Sequence, residues 1–284
     1  MSYRVPRYVV PIALLIAAVV AGPFFSPYTP NAQLDIIALR SQPPSLAHPF
    51  GTDAMSRDVL SRVLDGGRVS LSLAILSVSL SVVVATLYGA ISTMVGGVVD
   101  TTMRRLLDVA LSIPRLLVLL AICALWGALS FPVLILLIGL TGWFDTARLV
   151  TDDLRTLRTQ EFSTAAVAQG VRGPRLLWRH LLPHVLPTLV INASFGVANT
   201  IALEAGLSFL GLGIQAPQAS WGTILHDGAG VEQSAWWLSV FPGLAAIFAV
   251  LACNTLGDAL RERFASNHVQ RLLPVSPSSR TVRP

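Results

Sequence analysis

The chain contains no lysine: all 20 of its basic residues are arginine. A P-loop uses a lysine to reach nucleotide phosphates, so this chain is not itself a P-loop ATPase. Charge of either sign is scarce, 12% of 284 residues, where soluble domains carry about 25%. With 53% hydrophobic residues and a mean hydropathy of +0.66, the chain reads as an integral membrane protein. Cysteine is nearly absent. Cys123 and Cys253 both lie inside apolar runs and read as small hydrophobes, not as a disulfide or a metal pair. The formal charge of +5 does not point to nucleic acid, because the arginines gather at the ends of apolar runs. His180 and His184 have a helical metal-ligand spacing. With Pro183 between them and no carboxylate nearby in sequence, they read as helix-end histidines. The many serines lack a nucleophile-elbow setting, and no internal repeat supports an inverted-repeat carrier.

What is present is a series of apolar runs. An uncleaved first span covers about Tyr8–Phe25, behind Arg4 and Arg7. A polar segment from Ser26 to Gly67 follows, in which Asp35, Asp53, Asp58 and Asp65 balance Arg40, Arg57, Arg62 and Arg68. Span 2, Val69–Met94, is rich in the Ser, Ala and Gly that let membrane helices approach closely. Span 3 covers Leu106–Trp126 with a bend at Pro114, and span 4 covers Ser130–Ala147, interrupted at Gly139 and Gly142. Spans 5 and 6 cover Val185–Leu207 and Trp236–Leu256, and the last 15 or so residues of the arginine-bearing tail have a disordered composition. Arginine crowds the N-terminus, the loop after span 2, the loop after span 4 and the tail, while Gly211–Ala235 has none. The positive-inside rule therefore places both termini and the central loop in the cytoplasm.

The central loop, Arg148–Pro187, is the longest strongly charged stretch. It reads as a helix with small residues at Ala165, Ala166 and Ala168, a break at Gly170 and Gly173, and a second helix closed by Leu182-Pro183. Such a hairpin is either a docking element for another protein or an ordinary solvated loop. Span 5 carries Asn192, Gly196, Asn199 and Leu203 on one stripe, with Thr200 and Glu204 beside it. Polar groups in a span face an aqueous path or bond between helices, and either reading fits the asparagines.

The Ala165-Ala166, Gly170 and Leu182-Pro183 series resembles the EAA loop of bacterial ABC importer permeases. Further segments sharpen the likeness: His48–Leu71, Gly96–Asp108, Glu204–Gly222, Trp236–Gly243 and Asn254–Phe264. Together they resemble the C-type inner-membrane permease of the dipeptide, oligopeptide and nickel importers, over about Tyr8–Phe264. The resemblance implies an all-α integral membrane fold: six transmembrane helices with a MetI-like type I permease core. Residues 1–28 would be a scaffold helix, 29–68 an extracytoplasmic segment, 69–260 a five-helix core containing the 148–187 coupling loop, and 261–284 a cytoplasmic tail. It also implies a bacterial inner-membrane location and ATP-driven alternating access. The expected partners are a homologous B-type permease, two ABC ATPases that hold ATP and Mg, and an extracytoplasmic substrate-binding protein, with no cofactor in this chain. Glu161, Thr164, Ala165, Ala166, Gly170, Gly173, Leu182 and Pro183 would form the ATPase-coupling region; Asn192, Asn199, Thr200 and Glu204 would line the pathway. The family's first acidic position is Thr164 here, so its charge contact is missing unless Glu161 supplies it; Ser56 replaces a common glycine. Peptides are the expected cargo, with nickel, glutathione or haem-like ligands as alternatives within the class, and a stand-alone carrier or receptor outside it.

Overall fold

A computed structural model describes residues 26–127, 129–230 and 235–272, together with Pro11, Leu14, Leu15, Ala17 and Gly22; side chains are described as far as Phe264. The first expected span falls outside the described residues apart from these five positions. The helices in chain order are α1 (Val59–Val95), α2 (Gly97–Leu111), α3 (Arg115–Trp126), α4 (Phe131–Thr141), α5 (Trp143–Arg158), α6 (Glu161–Ala168) and α7 (Pro174–Leu176). A π-helical turn at Leu177–Leu181 then leads into α8 (Leu182–Phe209), followed by α9 (Trp221–Ala229) and α10 (Trp237–Leu272).

Three helical stretches are long and apolar enough to cross a membrane: Val59–Val95, Pro174–Phe209 and Trp237–Phe264. Two bent pairs, α2 with α3 at 72° and α4 with α5 at 40°, raise the number to as many as five among the described residues. The 37 residues of α1 span about 55 Å at 1.5 Å per residue, well beyond a hydrocarbon core of about 30 Å. Its ends therefore project from the apolar layer, and its first turns carry charge.

Those first turns correct the expected boundary. The helix begins at Val59, not near Val69, because Asp58 caps it by accepting from the Ser61 N–H at 2.8 Å. Arg62 lies only 3% exposed, yet it is neutralised: its Nη1 donates to Asp53 Oδ2 at 2.6 Å and to Asp227 Oδ2 at 2.8 Å. Arg57 bonds the same two carboxylates at 2.7 and 3.0 Å. His48 packs its ring on Tyr28 and meets Asp58 Oδ1 at 2.9 Å. Trp237 Nε1 donates to the Thr52 carbonyl and Trp221 Nε1 to that of Val63, each at 3.0 Å. The polar segment is thereby fastened to α1, α9 and α10.

The centre of the bundle is one side of α1. Ser70, Ala74, Ser77, Ser81, Ala85 and Gly89 are all buried and recur every three or four residues. Ser81 Oγ donates to the Gly139 carbonyl at 2.7 Å and Ser77 Oγ to that of Ile135 at 3.2 Å, drawing α4 against α1. At Gly89 an added Cβ would lie 2.7 Å from Val150 Cγ1 and 3.2 Å from the Thr151 nitrogen of α5.

Two further expectations are corrected. Leu182-Pro183 does not close a helix: Pro183 lies within the continuous helical stretch Pro174–Phe209, at the start of α8 directly after the π-helical turn Leu177–Leu181. The final helix continues past Leu256 to Leu272, so the expected tail begins inside it, and residues 273–284 lie outside the described residues.

Replacing Gly89 by leucine is expected to cost about 1–3 kcal/mol, the usual scale of overpacking. Thermal unfolding of the purified protein in detergent should shift downward; an unchanged midpoint would contradict the close α1–α5 approach.

Candidate functional site

Two regions carry the residues singled out by sequence, and α5 joins them. At one end of α5 the chain turns at Thr159-Gln160 into α6. Arg155 pairs with Asp100 of α2, which also accepts from Ser92 Oγ at 2.6 Å, and Arg158 bonds the Thr93 carbonyl. The ends of α1, α2 and α5 are thus tied together beside α6.

Helix α6 buries only Ser163 and Ala166. Ala166 enters an apolar cluster with Val150 and Leu154 of α5, Leu176, Leu177 and Leu181 of the following turn, and Val185 and Leu189 of α8. Phe162 stacks on His184 with centroids 4.8 Å apart. The opposite side presents Glu161, Thr164, Ala165 and Ala168, all exposed and spaced three or four residues apart. Thr164 cannot replace a carboxylate there, since its Oγ1 donates back to the Glu161 carbonyl at 2.9 Å. Gly170, with φ at +88°, and Gly173, at +57°, turn the chain away from α6; nothing lies within 4 Å of where a Cβ would be at either. Glycine is therefore needed at Gly170 for its backbone, not for space. Leu182 is half-buried and Pro183 exposed.

His184 Nδ1 sits 2.6 Å from the His180 carbonyl, which can only accept, so that nitrogen carries the proton. Among the described residues no group of three or more His, Cys, Asp or Glu could hold a metal ion.

The second region lies near the other end of α5. Asn192, Asn199 and Thr200 of α8 share a pocket of about 120 Å³ with Ser81 of α1, Arg115 of α3, and Asp145 and Thr146 of α5. Asn192 Nδ2 donates to Thr146 Oγ1 at 2.9 Å, so it bonds between helices and lines the pocket at once. Glu204, expected with the asparagines, is absent from this pocket. Its carboxyl is 1% exposed and accepts from Ser70 Oγ at 2.9 Å and Ser208 Oγ at 2.7 Å. It is a closed tie between α1 and α8, because each of its oxygens has its own hydroxyl donor, Ser208 one turn further along α8 and Ser70 across the interface. Arg115 and Asp145 were legible only as charges at the edges of spans. The glycine at Gly142, which breaks span 4 beside them, is the signal that placed polar backbone there.

Among the described residues, a helical bundle of broken apolar spans with a small-residue helix displayed beyond it has the architecture of a membrane-spanning subunit. Residues 68–267 match the family described as the binding-protein-dependent transport system inner membrane component, and the chain belongs to that family. It is 42% identical over 254 residues to a Brucella suis protein named as a peptide permease, covering 88% of this chain and 82% of the relative. The oligopeptide transport system permease protein OppC of Haemophilus influenzae is 36% identical over 252 residues, 88% of this chain and 80% of its own. The dipeptide transport system permease protein DppC of Bacillus subtilis is 33% identical over 252 residues, 88% and 78% respectively.

With Cys123 and Cys253 replaced by alanine, a cysteine at Asn199 is expected to react with a water-soluble maleimide, and one at Glu204 to resist it. Equal labelling of the two positions would contradict the division between open pocket and closed tie.

Proposed function

We propose that the chain is the membrane-spanning half of the pathway in an ATP-driven importer of di- and oligopeptides. A second, homologous permease would supply the other half, and two ABC ATPases beneath would supply the energy. The observation that carries this reading is α6: a short helix held to the bundle by Ala166 and Phe162 while its other side, Glu161, Thr164, Ala165 and Ala168, is bare. Small side chains let a partner approach the helix closely, and Glu161 stands on the same stripe as Thr164, where it supplies the carboxylate missing at that position. The peptide cargo follows from the names of the relatives. Six spans follow if the first apolar run, Tyr8–Phe25, joins the five that the described residues provide. The arginine distribution puts both termini and α6 in the cytoplasm, and residues 26–58 with α9 on the side of the binding protein.

Coupling is mechanical. The 16 residues of α5 make a rod about 24 Å long, with Arg155 and Arg158 beside α6 at one end and Asp145 and Thr146 in the pocket at the other. Through Leu181 and Val185 the same apolar cluster holds the start of α8, whose next turns bear Asn192 and Asn199. A closely packed interior transmits displacement instead of absorbing it. Movement of α6 by the ATPases therefore shifts two walls of the pocket together, opening the path to one side of the membrane and then the other.

Gly170→Asp is expected to leave membrane insertion intact and to abolish uptake by the reconstituted importer. Gly170→Ala, which adds backbone strain of about 1–2 kcal/mol without charge, should reduce uptake only partially. Normal uptake by Gly170→Asp would remove α6 and its turn from the coupling path.

A further inference from the structure

The bundle pocket holds charges of both signs, and one is rigidly placed. Arg115 begins α3 directly after Pro114, at the 72° bend. Its Nη2 donates to the Ile138 carbonyl at 2.6 Å and its Nε to Thr141 Oγ1 at 3.3 Å, both at the end of α4. Helix α4 stops there at Gly142, where an added Cβ would lie 2.7 Å from Arg115 Nη2, so the absence of a side chain lets the guanidinium lie over the break. Two of its nitrogens are thus committed, one to a carbonyl freed by the break and one to the Thr141 hydroxyl, leaving Nη1 for a further acceptor. Asp145, in the first turn of α5, is exposed and lines the same pocket. The charge of Asp145 acts on Arg115 across the pocket, but no ion pair within 4.0 Å among the described residues engages either group.

Ionisable groups within a membrane bundle are costly and persist where they face an aqueous path or a charged cargo. A cation needed only to cap α4 would not require an exposed carboxylate and two asparagines lining the same pocket. A peptide with free ends is itself a zwitterion, and leaves water only where each end meets an opposite charge or a hydrogen-bonding group. A pocket of about 120 Å³ has room for water and for a terminal carboxylate or ammonium. Asn199 and Asp145 are exposed residues of its lining.

Resting on the peptide reading above, we propose that this pocket is a charge-selecting station on the pathway: Arg115 receives carboxylates of the passing peptide, Asp145 receives its ammonium groups, and Asn192 and Asn199 bond its amides. The station adds a second filter to whatever the binding protein delivers.

The test uses the complete importer in proteoliposomes, with its binding protein in saturating excess, and measures uptake of alanyl-glutamate and alanyl-lysine. Arg115→Gln lowers the ratio of the first to the second, and Asp145→Asn raises it, each by roughly tenfold, the scale of one charge-assisted hydrogen bond. A purely structural part for Arg115 would depress both uptakes alike, so a ratio unchanged in both variants overturns the proposal. If Arg115→Gln fails to assemble, Asp145→Asn decides alone, because Asp145 is exposed and an unchanged ratio there is equally fatal. A wild-type complex that takes up neither dipeptide overturns the peptide reading itself, and this inference falls with it.

Discussion

Everything in this bundle leans on the small-residue side of α1. Inside a membrane, burying apolar side chains between helices gains little over leaving them in lipid, so helices associate by close contact and by hydrogen bonds. Ser70, Ala74, Ser77, Ser81, Ala85 and Gly89 provide both: no side chain in the series is larger than serine, and three of them carry hydroxyls that reach across. Ser77 and Ser81 find carbonyls of α4, Ser70 finds Glu204 of α8, and Gly89 admits α5. Helices α4, α5 and α8 are therefore referenced to one central rod.

The charged groups divide by what surrounds them. The Arg57–Arg62–Asp53–Asp227 cluster and the Glu204–serine tie are closed, every carboxylate having its donors, and they fix the ends of α1, α8 and α9. Buried ionic groups of this kind are costly to break once formed and so set a single arrangement. Arg115 and Asp145, by contrast, border an opening. Closed charges inside the bundle are thus set apart from the two that border this opening, of which Arg115 also caps α4, and α5 runs from the opening to the bare surface of α6.

Much of this was legible in the residues alone. The small-residue character of α1, the breaks at Pro114 and Gly142, the helix–glycine–helix form of the loop and the stripe of Asn192 and Asn199 all follow from local chemistry, whereas Gly139, expected to interrupt span 4, stays inside α4 because its missing side chain lets α1 pack against it. The failures share one cause, which is that tertiary partners were invisible. Arg62 and Asp65 make the first turns of α1 look like loop until Asp53 and Asp227 are seen to neutralise Arg62. Pro183 reads as a stop until the π-helical turn before it delivers the chain into α8. Glu204 sits near the asparagine stripe in sequence, and only the position of Ser70 on another helix shows that it turns away from the pocket. Asp145 gave no signal beyond its charge, since its neighbours in the pocket come from four different helices.

The most direct measurement is recovery of the tagged chain from its own membrane in mild detergent, followed by identification of what accompanies it. A lysine-free subunit that spans the membrane and displays α6 should bring with it one homologous permease and P-loop subunits bearing the lysine that this chain lacks. Recovery of the chain alone, stable and monodisperse, would contradict the account, for the exposed side of α6 would then have no partner to drive it.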